Sequence, residues 1–439
     1  MLATAVRSLA RPLAGRVGSL FPRLFNAATD DVCPLNEQPP IGVVPKKMYA
    51  SLIRPERFGD PTDAFKTEVI DVPEIGDEDV LIYVMAAGVN YNNVWAARGL
   101  PVSVIKHRQK KYGVENTEDF HVGGSDASGI VYATGKSVTS VKVGDEVVAH
   151  CGMWPKDDPF LAEGRDIVCS ENFGVWGYEE NWGSFAQFAK VQAHQLMPKP
   201  EQYSWEECAS YMLVGATVYR MLLGWDEHKM TKDMPCLIWG GAGGLGSHAL
   251  QICRAIGSRA VAVVDDEEQR QHAMDNGAVG TLVWPDYNHW GMLPHWTDNK
   301  AFAEWTKEAR RFGNDYWEAL GSKESPRLVM EHVAEHTIPT STYLCDYGGM
   351  VVCCAGTTGF NATFDLRHFW MRSKRFQGSH FANDEQCYAF NQMVIDGDFK
   401  PVVGRVFDFE GVGEAHQLMM ENKHPSGKMV IKVGCHALE

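Results

Sequence analysis

The chain has 439 residues, of which 45% are hydrophobic and 22% charged. That is ordinary globular composition, with enough length for two domains that each bury a core. A formal net charge of -15 argues against binding nucleic acid through its phosphates. No apolar run approaches a membrane span. The 11 cysteines are scattered without a C-x-x-C pair, which fits a reducing compartment.

Residues 1–29 differ from the rest. They hold Arg7, Arg11, Arg16 and Arg23 and no Asp or Glu, with an apolar stripe of Leu2, Val6, Leu9, Leu13 and Leu20. Such a leader is expected to be a mitochondrial transit peptide that sends the chain to the matrix. Residues 30–44 read as a Pro-rich linker or arm. From Lys46 to His150 short strands alternate with turns, as in Asp79–Met85, Gly129–Ala133 and Asp145–Ala149, and suggest a small barrel-like β domain. Residues 151–183 are irregular. Ser204-Trp205-Glu206-Glu207 is a capping box that opens a helix expected to run past Tyr219.

From Pro235 onward strands alternate with helices. Ala260–Val264, a helix over 267–276, Gly280–Val283, Leu328–His332 and Met350–Cys354 predict a doubly wound parallel sheet with right-handed crossovers. Cys353 and Cys354 read as buried strand residues. The stretch 285–325 carries Trp290, Trp296, Trp305 and Trp317 and is too long for an ordinary loop. It is expected to be helical and to pack on another surface, a second subunit among the options. Lys428–Val433 is a returning strand. The fold class is α/β.

The most informative stretch is Leu237–Leu250. Gly241, Gly243 and Gly246 stand at G-x-G-x-x-G spacing between an apolar run and a helical pattern, with Gly244 beside them. The first glycine permits a tight turn, the second lets backbone approach a pyrophosphate, and the third lets helix and strand pack closely. The phosphates would rest on the helix N-terminus. Asp265 and Asp266 follow at the distance the fingerprint requires. A carboxylate there accepts hydrogen bonds from ribose hydroxyls and repels a 2′-phosphate, so the chemistry by itself favours NADH over NADPH. Arg270 is the nearby cation able to receive a 2′-phosphate.

A β-rich domain before a Rossmann domain, with a strand returning at the end, resembles the medium-chain dehydrogenase/reductase superfamily over about residues 45–435. Four segments in this order narrow it: Gly88-Val-Asn-Tyr-Asn-Asn-Val-Trp95, Trp176-Gly-Tyr-Glu-Glu-Asn-Trp-Gly183, the capped helix with its glycine fingerprint, and Gly378-Ser-His-Phe-Ala-Asn383. Together they look like the crotonyl-CoA carboxylase/reductases. The resemblance implies a GroES-like catalytic domain at 45–203 and 384–439, and a Rossmann cofactor domain at 204–383 with a helical insertion at 285–325. It implies a homodimer or homotetramer and a preference for NADPH. It implies reduction of a short α,β-unsaturated acyl-CoA, such as crotonyl-CoA or acryloyl-CoA, with capture of CO2 by the resulting enolate.

Zinc members of the superfamily place Cys and His ligands at the positions held here by Asn90-Tyr91-Asn92 and Gly124-Ser125-Asp126. With neither residue type there, no metal is expected. Asp126 reads as a turn or cap carboxylate. In the resembled family an Asn, a Phe-Glu pair and a His hold CO2. Carried over, these fall on Asn92, Glu179 and His380, with Tyr178 in place of the Phe. An amide and an imidazole can donate to a CO2 oxygen as it gains charge, and an aromatic flank keeps out water. The Tyr178 hydroxyl leaves two outcomes open. It either assists CO2 or protonates the enolate, which would make a plain enoyl-CoA reductase; a zinc-free quinone or enone reductase is a third reading. Related non-carboxylating reductases carry a Tyr acid where this chain has Gly99-Leu100-Pro101, and that favours carboxylation. Arg367, Arg372, Lys374 and Arg375 are the candidate partners for the CoA phosphates.

Overall fold

The strand Asp79–Gly88 is apolar on both faces because it is buried on both. Val80, Ile82 and Val84 point into one core, and Leu81, Tyr83 and Met85 into another. That alternation is the two-residue period of a strand. It is flanked by Ala127–Thr134, Phe188–Gln192 and Lys428–Lys432, all antiparallel to it. The seven-stranded sheet so formed also holds Leu196–Pro198, Glu146–Ala149 and Val403–Phe407. A smaller sheet of Lys66–Asp71, Lys47–Ile53 and His121–Val122 lies beside it. This computed structural model describes residues 30–434 other than Asn36, so the leader at 1–29 lies outside the described residues.

Residues 30–44 are not a free linker. Val32 bridges to Lys47, the Gln187 amide donates to the Cys33 carbonyl, and the Tyr132 hydroxyl donates to the Pro39 carbonyl. The arm is docked because it satisfies buried polar groups of the β-rich unit.

The second unit is a six-stranded parallel sheet. Its order is Gly280–Val283, Arg259–Val264, Pro235–Ile238, Leu328–Glu331, Met350–Cys353, Arg375–Gly378. The five expected strands of the Rossmann sheet are present, and Arg375–Gly378, not expected as a strand, adds a sixth at the edge. Alternate residues again serve two layers: Cys236 and Ile238 face one, Leu237 and Trp239 the other. The stretch 285–325 is better described as a crossover than as an insertion. The chain must pass from the Gly280–Val283 edge across two strands to Leu328, and that passage needs length. Most of it is the helix Asn299–Leu320, which buries Trp305, Ala309, Phe312, Tyr316 and Leu320 on one face. Phe312 stacks on Trp239 at 5.6 Å. The helix therefore covers this protein's own sheet and leaves no apolar face for a second subunit. Burying one such aromatic contributes about 1.5–3 kcal/mol.

The helix expected from Ser204 past Tyr219 is two helices. Ser204 and Glu207 form the capping box, but the first helix ends at Cys208 and a second runs Met212–Leu223. The break has a cause in Asp126. Its carboxylate accepts the Leu213 N–H at 2.6 Å, so the second helix starts on a buried side chain from the other unit.

Asp126 is the centre of the seam between the units. Asn90 donates to it at 2.8 Å, and Lys428 donates to the Asn90 oxygen at 2.5 Å and to the Val89 carbonyl at 2.6 Å. The Lys428 ammonium lies 3.8 Å from the Asp126 carboxylate. Burial raises the Asp126 carboxyl to about 6 and lowers the Lys428 ammonium to about 8, against their mutual attraction. Asp384, which opens the helix Asp384–Ile395, ties that helix to the β-rich unit by accepting from His150 and His194, each at 3.0 Å. Burial opposes its ionisation, yet the two imidazoles hold its carboxyl down at about 2. Replacing one partner of a buried pair strands the other. Lys428→Met is expected to cost about 3–5 kcal/mol in chemical denaturation, and Lys428→Met with Asp126→Leu is expected to recover much of it.

Candidate active site

A cleft of 610 Å³ opens where the two units meet. It lies at the point where strand order reverses about Pro235–Ile238, the place where doubly wound sheets bind ligands. Gly240, Gly243 and Gly244 line it from one side, and Asn92, Tyr178 and His380 from the other.

The glycine turn divides its labour differently from the expectation. Gly240 has φ +61, so the tight turn belongs to it and not to Gly241. Gly241 is pressed on the next strand: a Cβ there would meet the Ala262 Cβ at 2.5 Å. Gly246 does pack helix on turn, since a Cβ there would fall 2.2 Å from the Gly240 carbonyl. Gly243 lines the cleft, and a Cβ there would only touch the Gly240 carbonyl at 3.5 Å. It caps the helix Gly244–Ile256 without any side-chain hydrogen bond. The first N–H groups of that helix are therefore available to an anion.

At the far end Asp265 lines the cleft and accepts from Asn422 at 3.4 Å. Asp266 is turned away from the cleft. It caps the helix Glu267–Asp275 by accepting the Gln269 N–H at 2.9 Å, which is local structure and not ligand contact. Arg270 is paired with Glu267 at 2.7 Å and donates to Thr281.

Asn92 stands in the first turn of the helix Tyr91–Arg98. Its amide donates to Ser125 at 2.9 Å and keeps a second hydrogen for the cleft. Tyr178 and Glu179 belong to a tight turn closed by the Tyr178 and Glu180 N–H groups on the Val175 carbonyl. The Tyr178 hydroxyl is directed at the Leu100 carbonyl, 3.5 Å away. Burial, with the neighbouring Glu179, pushes its pKa up. Such a phenol is a reluctant acid. Glu179 is behind the turn. One oxygen accepts the Val175 N–H at 2.9 Å, and burial raises the carboxyl to about 7. His380 stands at the rim and meets Phe173 edge-on at 5.5 Å. The protein around it and the Arg220 charge lower its pKa. Asn92, Tyr178 and His380 thus converge on the cleft, with Glu179 one layer out.

The basic run does not reach the cleft. Lys374 is buried and donates to the Thr342 and Tyr343 carbonyls, where it satisfies the end of a helix. Arg367 pairs with Asp365 at 2.6 Å. Arg372 lies over the Tyr347 ring, and Arg375 donates to Gln377. Each cation already has a local partner, and none of the four lines the cleft. Lys428 and Cys354 are among the cleft residues that escaped the sequence. Lys428 opens a strand and gives no signal of its own. Cys354, expected in a strand core, lies just past the strand end and lines the cleft.

A zinc ion does not fit at the segments where the superfamily binds one. The donors there are amides, the Ser125 hydroxyl and the Asp126 carboxylate. That carboxylate is already bonded by Asn90 and Leu213, and the Lys428 ammonium stands where a cation would be repelled.

The comparisons with known proteins agree with this architecture. The alcohol dehydrogenase GroES-like domain matches residues 76–201, and the zinc-binding dehydrogenase domain matches 244–396. The chain is 45% identical to a crotonyl-CoA carboxylase/reductase of Cereibacter sphaeroides over 409 residues, 93% of each chain. A solved crotonyl-CoA carboxylase/reductase in complex with NADP superposes with TM-score 0.88 at 50% identity, covering 92% of this chain and 98% of that one. A 2-octenoyl-CoA carboxylase reductase with NADP and 2-octenoyl-CoA gives TM-score 0.82 at 30% identity, covering 90% of each. With its two domains and its glycine turn, and at this identity over nearly its whole length, the chain belongs to the crotonyl-CoA carboxylase/reductase family of the medium-chain dehydrogenase/reductase superfamily.

Proposed function

We propose that this protein catalyses the reductive carboxylation of a short α,β-unsaturated acyl-CoA with NADPH and CO2. The observation that carries the reading is the convergence of Asn92, Tyr178 and His380 on the cleft that holds the bare helix N-terminus at Gly243 and Gly244. When bound, the reduced nicotinamide supplies hydride to the β-carbon of the enoyl thioester. The electron pair of the C=C bond then moves toward the α-carbon and thioester oxygen. Asn92 and His380 hold CO2 by donating to its oxygens, which take up charge as the new C–C bond forms. Tyr178 walls the site and keeps water from protonating the α-carbon. Its hydroxyl, directed at Leu100 and made less acidic by burial, is poorly disposed to supply that proton.

The cleft fits a dinucleotide. The pyrophosphate would meet the first N–H groups of the helix Gly244–Ile256, and Asp265 would accept from a ribose hydroxyl. The NADH preference drawn from Asp265 and Asp266 is set aside for NADPH, because relatives at 50% and 30% identity bind NADP. Asp266 is spent on a helix cap, which removes half of the expected repulsion. Arg270 remains the cation that a 2′-phosphate would draw away from Glu267, an exposed pairing that is easily exchanged.

We infer two further properties. Tyr347, Phe360, Leu366, Trp370, Met371 and Phe376 form exposed apolar surface around the edge strand Arg375–Gly378. A surface of this kind on an edge strand calls for a partner, and a second copy of this chain is the occupant we assign. The leader at 1–29 is the reason to assign the mitochondrial matrix, which a fluorescent fusion with and without the leader would test.

With 13C-bicarbonate, NADPH and crotonyl-CoA, label is expected in an acyl-CoA one carboxyl group heavier. Mass spectrometry that finds only reduced acyl-CoA would make the protein a plain enoyl-CoA reductase. The raised Glu179 carboxyl stays neutral up to about 7 and becomes a carboxylate above it. That charge opposes the nascent product carboxylate. At fixed dissolved CO2 the carboxylated share of product is therefore expected to fall as pH rises through about 7, and Glu179→Gln is expected to flatten the profile. Trp370→Glu is expected to reduce the assembled mass in sedimentation while leaving the fold intact.

A further inference from the structure

The turn that carries Tyr178 and Glu179 is held from behind by groups that do not line the cleft. The helix Val104–Tyr112 supplies both ends of the hold. At one end Arg108 is buried, and its guanidinium donates to His121 Nδ1 at 2.8 Å and to the Phe120 carbonyl at 2.7 Å. Arginine has no acceptor, so His121 Nδ1 must carry the lone pair and Nε2 the proton. That proton is donated to the Gly177 carbonyl at 3.3 Å. At the other end Lys111 and Tyr112 each donate to Glu180 at 2.8 Å. Tyr178 and Glu179 are the two residues strung between Gly177 and Glu180.

The turn has little freedom of its own. Gly177 has φ +72, and a Cβ there would lie 2.0 Å from the Gly124 carbonyl. Backbone presses on it from one side while His121 fixes its carbonyl on the other. Moving that peptide would swing the Tyr178 ring and the Glu179 carboxyl together. Burying a guanidinium is expensive, and here its Nε has no partner. A hydrophobic side chain would fill the same space at lower cost. What arginine adds is a donor that dictates the histidine tautomer.

We propose that Arg108 and His121 are positioning residues that set the Gly177–Glu180 turn and thereby the partition of the enolate between CO2 and a proton. The inference rests on the carboxylation reading above. CO2 capture needs Tyr178 to exclude water and Glu179 to stay in place, whereas hydride transfer to the β-carbon does not use this turn. A loosened turn therefore admits water: the α-carbon pair then takes a proton in place of the CO2 carbon, and saturated acyl-CoA replaces the carboxylated product.

The test uses the full-length enzyme with crotonyl-CoA, NADPH and saturating bicarbonate, and reads the ratio of carboxylated to merely reduced acyl-CoA. His121→Gln places an amide N–H where Nε2 stands and keeps the donor to Gly177; His121→Asn does not reach it. His121→Asn and His121→Leu are expected to lower the ratio about tenfold, with NADPH oxidation and the KM for NADPH close to native. His121→Gln is expected to stay close to the native ratio. If His121→Leu does not fold, the Asn and Gln pair decides by itself. Equal ratios in those two variants, or equal loss of both products, would overturn the inference and leave His121 a packing residue. If the native enzyme makes no carboxylated product, the carboxylation reading falls and this inference with it. If the native enzyme carboxylates and the Asn variant matches it, the inference alone falls.

Discussion

A chain of buried polar contacts, Lys428 to Asn90 to Asp126 to the Leu213 N–H, is the constraint on which the rest of this molecule depends. It fastens the last strand, the helix that bears Asn92, the β-rich sheet and the second half of a broken helix. The cleft exists because these four are held in one relation. Polar groups in a dry seam are costly unless every one is paired, and that cost is what makes the arrangement unique. Relatives that bind zinc could hold the same junction through metal–ligand bonds. Here an ammonium does so, with hydrogen bonds in place of coordination.

Around that junction the chemistry is layered. Asn92, Tyr178 and His380 face the cleft, Glu179 lies in the turn behind them, and His121, its tautomer set by Arg108, holds that turn at the Gly177 carbonyl. This ordering suits a reaction whose selectivity is a competition between a dilute gas and ubiquitous water. The residues that touch CO2 supply only a few hydrogen bonds. Most of the discrimination must come from how firmly the wall around them is held.

Much of this was legible in the sequence, and the exceptions have physical reasons. The continuous apolar run in Asp79–Gly88 and the glycine spacing at 241–246 are short-range patterns, so that strand and the nucleotide turn could be read directly. The division of roles among Gly240, Gly241 and Gly243 could not, because it depends on which strand presses on which Cα. Asn92, Glu179 and His380 were found through resemblance and not through periodicity. The basic run 367–375 misled because charge in a sequence does not reveal a partner already spent, as with Arg367 on Asp365 and Lys374 on carbonyls. Lys428, Asn90 and His121 each act across a long loop of chain. No local pattern announces a pairing between residues 90 and 428.

The discontinuity of the β-rich unit also governs how the molecule is made. The parallel sheet is complete once Gly378 has been synthesised. The other sheet waits for Lys428–Lys432, which must slot between Asp79–Gly88 and Val403–Phe407 rather than add at an edge. Until then the first strands wait with an open flank, and Asp126 lacks the Lys428 charge. The parallel sheet can therefore mature first, while the β-rich sheet closes only when Lys428–Lys432 is in place. That vacancy is a natural target for chaperones.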